Sequence, residues 1–215
     1  MPVRLALFED AFDGGRPILL APAPRAVYVR HGSLTATTAA GGTVALAEDT
    51  CTLFEGELEL SGSGEAWSWE ATPYDWGPMV TDAERPRLVA AHALMIDPRY
   101  PILMRSDRVD FPPGIVTPKH GHGGPGIRRL LHGRLVAEIA DKAHRVEPGE
   151  AWFETGRDPV VGRNIAPASA FVRTILLPTD YLGRSSFLPW TAEEATKPRG
   201  VQYRIFFDTV VQLGV

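Results

Sequence analysis

Cysteine is almost absent from this chain: Cys51 is the only one in 215 residues. A lone thiol cannot close an internal disulfide, which excludes a disulfide-stapled secreted scaffold and fits a reducing compartment. Long apolar runs are missing as well, and no segment approaches the roughly 20 consecutive apolar residues of a membrane-spanning helix. The opening MPVRLALFEDAF lacks the charged start, continuous apolar stretch and small-residue cleavage site of a signal peptide. Basic runs are also lacking. With 22 Lys plus Arg against 26 Asp plus Glu, the net charge is −4 and the pI about 5.9, so neither nucleic acid nor an anionic membrane surface is an expected partner. A soluble, cytoplasmic protein is the expectation. Helical periodicity is weak throughout. The best candidate is the short stretch 190–195, WTAEEA, where Thr191 can cap and Glu194 follows three residues on.

Turn formers are abundant: 21 Gly and 19 Pro exclude a coiled coil or helical bundle. Apolar residues make up 44% of the chain, enough for a sizeable core. Short apolar runs bounded by Gly, Pro and Asp recur, among them RAVYVRHGSLTAT, GEAWSWEAT, GIRRLLHGRLVAEIA and FVRTILLP. Many short strands predict an all-β sandwich or barrel.

The chain also resembles itself. Residues 27–56 align with 128–156, matching His31-Gly32 to His132-Gly133, Glu48-Asp49 to Pro148-Gly149 and Phe54-Glu55 to Phe153-Glu154. This predicts two strand-rich units built alike. The Pro- and charge-rich stretch 72–87 is the natural connection, with a boundary near Arg85 that gives units 1–85 and 86–215.

One segment concentrates unusual residues: FPPGIVTPKHGHGGPGIRRLLHG, residues 111–133. His120 and His122 are two apart, so on an extended strand both rings project from one face and can converge on a metal ion. Here the sequence resembles the cupin superfamily, whose first motif runs from a glycine through HxH and a glutamate to a closing glycine. Gly114, His120, His122 and Gly133 stand at those positions, and Pro148-Gly149 followed by Asn164 resembles the second motif. The resemblance implies two cupin-like double-stranded β-helix (jelly-roll) barrels in tandem, a bicupin with a degenerate N-terminal barrel. It also implies a divalent metal, Fe, Mn, Ni or Zn, and no organic cofactor. Two departures stand out. The family's glutamate falls on Gly126 and the second motif's histidine near Pro159. Glu154, near the end of a strand after Trp152 and Phe153, is the carboxylate that would complete a 2-His-1-carboxylate set with His120 and His122.

Alternation from position 126 puts Arg128 and Leu130 on one face, where an inward Arg128 would bind a substrate carboxylate through its fork of donors. The opposite phase turns Arg129 and Leu131 inward instead. Two functions follow from the resemblance. One is a metal-dependent enzyme acting on a small anionic organic molecule, with dioxygenase-like chemistry; the alternative is a non-catalytic small-molecule-binding module without a functional metal site. A structural or storage role is a weaker third reading. The apolar C-terminal strand YRIFFDTVVQL suits pairing into a homodimer. Of the remaining residues, His31 and His132 are expected exposed at hairpin turns, His92 in a core or rim, and His144 in solvent. Trp67, Trp69 and Trp152 are expected in the core, with Trp76 and Trp190 near loops but packed. The GGPG run at 123–126 reads as a tight turn, since no P-loop context follows it.

Overall fold

Apolar alternation carries nearly every element into strand. The computed structural model describes residues 2–74 and 87–213. The chain divides into two compact units, Met1–Ile102 with Val211–Val215 and Leu103–Val210. The boundary expected near Arg85, and Trp76, lie outside the described residues.

In the first unit, β1 (Val3–Asp13), β2 (Ile18–Leu20), β3 (Arg25–Thr38), β4 (Thr43–Ala47), β5 (Cys51–Phe54), β6 (Leu58–Pro73) and β7 (Arg87–Leu94) form one seven-stranded sheet. Its order is β4-β3-β6-β1-β7, with β2 on β6 and β5 on β3, and its pairings are antiparallel. Ile18, Leu20, Val27, Val29, Leu58 and Leu60 are among the residues of its core. Trp67 and Trp69 are fully buried, as expected of core aromatics. A buried ion pair joins Arg25 Nη2 to Glu70 Oε2 at 2.7 Å.

The second unit holds β8 (Ile102–Phe111), β9 (His120–His122), β10 (Gly126–His132), β11 (Leu135–Ile139), β12 (Lys142–Val146), β13 (Ala151–Glu154), β14 (Val160–Asn164), β15 (Ser169–Leu177), β16 (Phe187–Pro189), α1 (Ala192–Thr196) and β17 (Gln202–Val211). These strands make two five-stranded sheets, β13-β10-β15-β8-β17 and β12-β11-β14-β9-β16. A shared core ties them face to face: Val109, Phe111, Leu130 and Phe171 come from the first sheet, Leu135, Ala137 and Val146 from the second. Two opposed antiparallel sheets with an apolar filling are the jelly-roll solution to covering both inner faces. The all-β expectation holds, whereas closure of two barrels in tandem is not part of the strand pairing among the described residues. Helix is confined there to α1 and the 3-10 turn Thr179–Tyr181. In α1 the Thr191 side chain accepts from Glu194 N at 3.2 Å, the cap read from the sequence. No described helix is long and apolar enough to cross a membrane.

The aligned segments of the two units share backbone detail. β3 shifts register between Val29 and His31, and β10 does so between Leu130 and His132. Gly32 and Gly133 follow at φ +82° and +81°, a left-handed conformation that suits glycine. In one unit Asp49 N donates to Val29 O at 2.8 Å and Val29 N to Thr50 O at 3.0 Å. In the other, Gly149 N donates to Leu130 O at 2.8 Å and Leu130 N to Glu150 O at 3.0 Å.

Candidate functional site

The site is built on one rung of a sheet. Strand register sets Arg128 of β10 opposite Trp152 of β13 on one side and Arg173 of β15 on the other, and Arg173 opposite Asp107 of β8. Two arginines side by side on one face repel, and each has its own carboxylate. Arg173 is held bidentately by Asp107, Nε to Oδ1 at 2.8 Å and Nη2 to Oδ2 at 3.0 Å. Arg128 Nη2 lies 2.6 Å from Oε2 of Glu154, which the register places opposite Gly126. Arg128 Nη1 donates to Gly126 O at 2.6 Å, and Trp152 Nε1 donates to Glu154 Oε1 at 2.9 Å. Of the two phases read for β10, the 128 phase faces the cavity. Arg129 donates its Nε to Gly149 O instead.

From the opposite sheet, β9 brings both histidines to the same cavity. Their rings stand edge to face, with centroids 4.8 Å apart. His122 Nε2 is 3.1 Å from Glu154 Oε2. The contact is close but does not meet hydrogen-bond geometry, so it brings the imidazole edge against the carboxylate without fixing which ring nitrogen carries the proton. His120 Nδ1 is 2.8 Å from Pro118 O and donates to it, leaving Nε2 as the acceptor. The His120 ring stacks on Phe187 at 4.3 Å, and the Arg199 guanidinium lies 4.2 Å from the same Phe187 centroid.

Burial governs the electrostatics. It pushes His122 down to about 3, against the opposing pull of Glu154, and lowers His120 as well, so both imidazoles are neutral at neutral pH. Burial alone would raise the Glu154 carboxyl, but the Arg128 guanidinium and His122 hold it well below the usual carboxylate range. Arg128 is lowered to about 10 by burial and remains a cation. Burial raises Tyr203, which also lines the cavity. The wall therefore pairs its charges one to one: Arg128 with Glu154, Arg173 with Asp107.

Four polar atoms in this wall are buried without hydrogen-bond partners: Nδ1 of His122, Nε and Nη2 of Arg128 and Oε2 of Glu154. The Arg128 to Glu154 contact is thus an ion pair off the hydrogen-bonding angle. The remaining lining is largely apolar, with Val109, Phe111, Leu135 and Phe171 among it. The space open to the centres of water molecules is about 30 Å³, room for two or three waters.

The metal set expected of His120, His122 and Glu154 does not assemble as three ligands. All three line one cavity, yet no group of three or more His, Cys, Asp or Glu among the described residues could hold a metal ion. In addition, the guanidinium at 2.6 Å from the carboxylate oxygen offsets its charge and repels a second cation. The residues present do not fit a divalent metal.

Position 126, where the family motif carries glutamate, cannot take a side chain. A Cβ there would lie 2.5 Å from Thr174 O and 2.9 Å from Ile175 Cα, both backbone. Gly126→Ala is expected to cost about 1–3 kcal/mol of stability by overpacking, read from denaturant unfolding. An unchanged midpoint would show that β10 and β15 can part at that rung.

Several residues of the site escaped the sequence reading. Trp152, expected in the core, is half-buried and lines the cavity. Arg173, Asp107, Phe187 and Tyr203 were not singled out. Arg173 did leave a signal, as the one charged residue in the apolar run FVRTILLP. Elsewhere, His31, His132 and His144 are exposed and His92 is half-buried, as read. Trp190, expected packed, is 46% exposed and lies beneath the Lys119 ammonium at 5.9 Å.

No protein-family model matches the chain, and no curated protein matches it significantly. Solved structures do. The chain is similar to an oxalate decarboxylase from Lactobacillus farciminis in a formate complex, at 10% identity and TM-score 0.63, over 91% of this chain and 82% of that one. It is similar to AerE from Microcystis aeruginosa, at 13% identity and TM-score 0.55, over 81% and 88%. A cupin 2 conserved barrel domain protein from Leptotrichia buccalis is similar at 11% identity and TM-score 0.51, over 81% and 84%. At such identities the likeness defines the fold: a mostly β, cupin-type jelly roll.

Proposed function

We propose that the C-terminal unit is a small-molecule-binding cupin module that works without a metal, in a bicupin-like chain whose N-terminal unit is a degenerate copy. The observation that carries the reading is the buried ion pair of Arg128 with Glu154, 2.6 Å apart, on the one carboxylate that was to complete a metal site. The backbone details shared around Gly32 and Gly133 support the tandem origin. The ligand must answer the open atoms of the wall: donors on Arg128, acceptors on Glu154 and His122. A hydroxyl or carboxylic acid group does both at once, on a compact body that fits the apolar lining. Arg128 anchors it, with His120 and His122 as neutral acceptors. The fold likeness to a decarboxylase solved with formate supports a small organic acid. The homodimer expected of the C-terminal strand also stands as a proposal, because β17 ends its sheet and exposes Ile205 and Val210; light scattering reports it.

The test uses untagged wild-type protein. Metals are counted by elemental mass spectrometry, and thermal stability is followed with a panel of small hydroxy and carboxylic acids, with and without chelator. Substoichiometric metal is expected, together with a ligand that raises Tm by mass action equally in chelator and fails to do so in His122→Phe. One equivalent of Fe, Mn, Ni or Zn that vanishes in His120→Ala/His122→Ala would overturn the reading and restore the metalloenzyme, with His120, His122 and Glu154 as ligands.

A further inference from the structure

The oxygen Oε2 of Glu154 has two close neighbours, Arg128 Nη2 at 2.6 Å and His122 Nε2 at 3.1 Å. Two donor atoms about 3 Å apart are at the separation that two ligands of one metal ion adopt when each bond is about 2.1 Å long. The guanidinium nitrogen stands at that same oxygen. It is held there from behind by Nη1 donating to Gly126 O at 2.6 Å, on the very residue that can carry no side chain. Arg128 is completely buried and its neighbour Glu154 nearly so, so the carboxylate is withdrawn from bulk solvent and is stabilised by a cation beside it. Across the rung Arg173 is already committed to Asp107.

From this geometry we infer that the Arg128 guanidinium is the resident cation of the cavity, filling both the place and the charge that a divalent metal would take against Glu154 and the two histidines. The inference deepens the metal-free reading above and rests on it. It accounts for two features together. Glu154 is turned inward although no metal-binding trio forms among the described residues, and the wall charges cancel in pairs. It also makes the cavity latent: removing one charged side chain uncovers an inward carboxylate and two neutral imidazoles. The imidazole tautomer with its lone pair on Nε2 can then meet a metal ion, and such tautomers exchange freely.

The experiment adds metal alone. Zn²⁺ is titrated calorimetrically and Co²⁺ by its visible d–d bands, into wild type, Arg128→Met, Arg128→Lys and Arg128→Met/Glu154→Gln. Wild type and Arg128→Lys, which keeps the charge, are expected to take up neither ion at the cavity. Arg128→Met is expected to bind about a hundredfold more tightly or better, with Co²⁺ bands of low coordination number. The gain is lost in the double variant. If Arg128→Met is poorly folded alone, Zn²⁺ should raise its Tm, which makes the same point by linkage. Arg128→Met that folds and gains no affinity, or gains it with Glu154 replaced, overturns the resident-cation inference and leaves the metal-free binding module standing. Stoichiometric metal at the cavity of wild type overturns both.

Discussion

Glu154→Gln is expected to cost the C-terminal unit about 3–5 kcal/mol, because it strands a buried guanidinium without its ion-pair partner. The substitution keeps size and shape and leaves an amide oxygen facing Arg128, so the loss isolates charge. Asp107, whose charge also reaches Arg128, is held bidentately by Arg173 at 2.8 and 3.0 Å and so offsets the loss only in part. Replacing both partners, Arg128→Met/Glu154→Gln, should recover most of the loss, since an apolar substitute of similar volume carries no desolvation cost. Hydrogen exchange of the β10 and β13 amides reads the opening free energy of this unit by itself. A loss below about 1 kcal/mol in the single variant would place the pair with solvent-screened surface bridges and contradict its burial.

How much of this was readable from residues differs from element to element. Strand after strand could be read because alternation and Gly/Pro punctuation are local signals, and the capped turn at Thr191 is a four-residue pattern. The phase of β10 could not. Arg128 and Arg129 are both buried, the one fully and the other at 3% exposure, so both faces of the strand are covered and alternation carries no contrast. The cavity as a place was legible from His120 and His122. Its chemistry was not, because the pairing of Arg128 with Glu154 depends on the cross-strand register that sets Gly126 opposite Glu154, and register joins residues far apart in the chain. Its place near the end of a strand made Glu154 the candidate ligand, and the residue does line the cavity. What the family motif did not contain is the arginine two places after its missing glutamate.

Acid should destabilise this unit earlier than carboxylate titration alone predicts, and the sign follows from His122. Its ordinary value is 6.5 and burial lowers it to about 3 in the fold. Between those values the unfolded chain binds a proton that the folded chain refuses, so stability is full above the unfolded value and falls as pH drops toward the folded one. The slope is up to about 1.4 kcal/mol per pH unit for one proton, or about 2–3 kcal/mol between pH 7 and 4.5. His120 is lowered by the same burial and adds in the same direction. Glu154, also held below its ordinary range, contributes only further down, once the unfolded carboxyl begins to protonate near about pH 4.3. The curve should therefore bend twice, the histidines first and the carboxylate second. His122→Gln removes most of the first bend and keeps the second, whereas Glu154→Gln removes the second. Denaturant unfolding at fixed pH steps, read by the β10 amides, checks this. A flat wild-type curve from pH 7 to 5 would mean that the folded protein accepts the proton on His122, giving the wall a net positive charge in mild acid. The ligand sought should then be a carboxylate anion rather than its neutral acid.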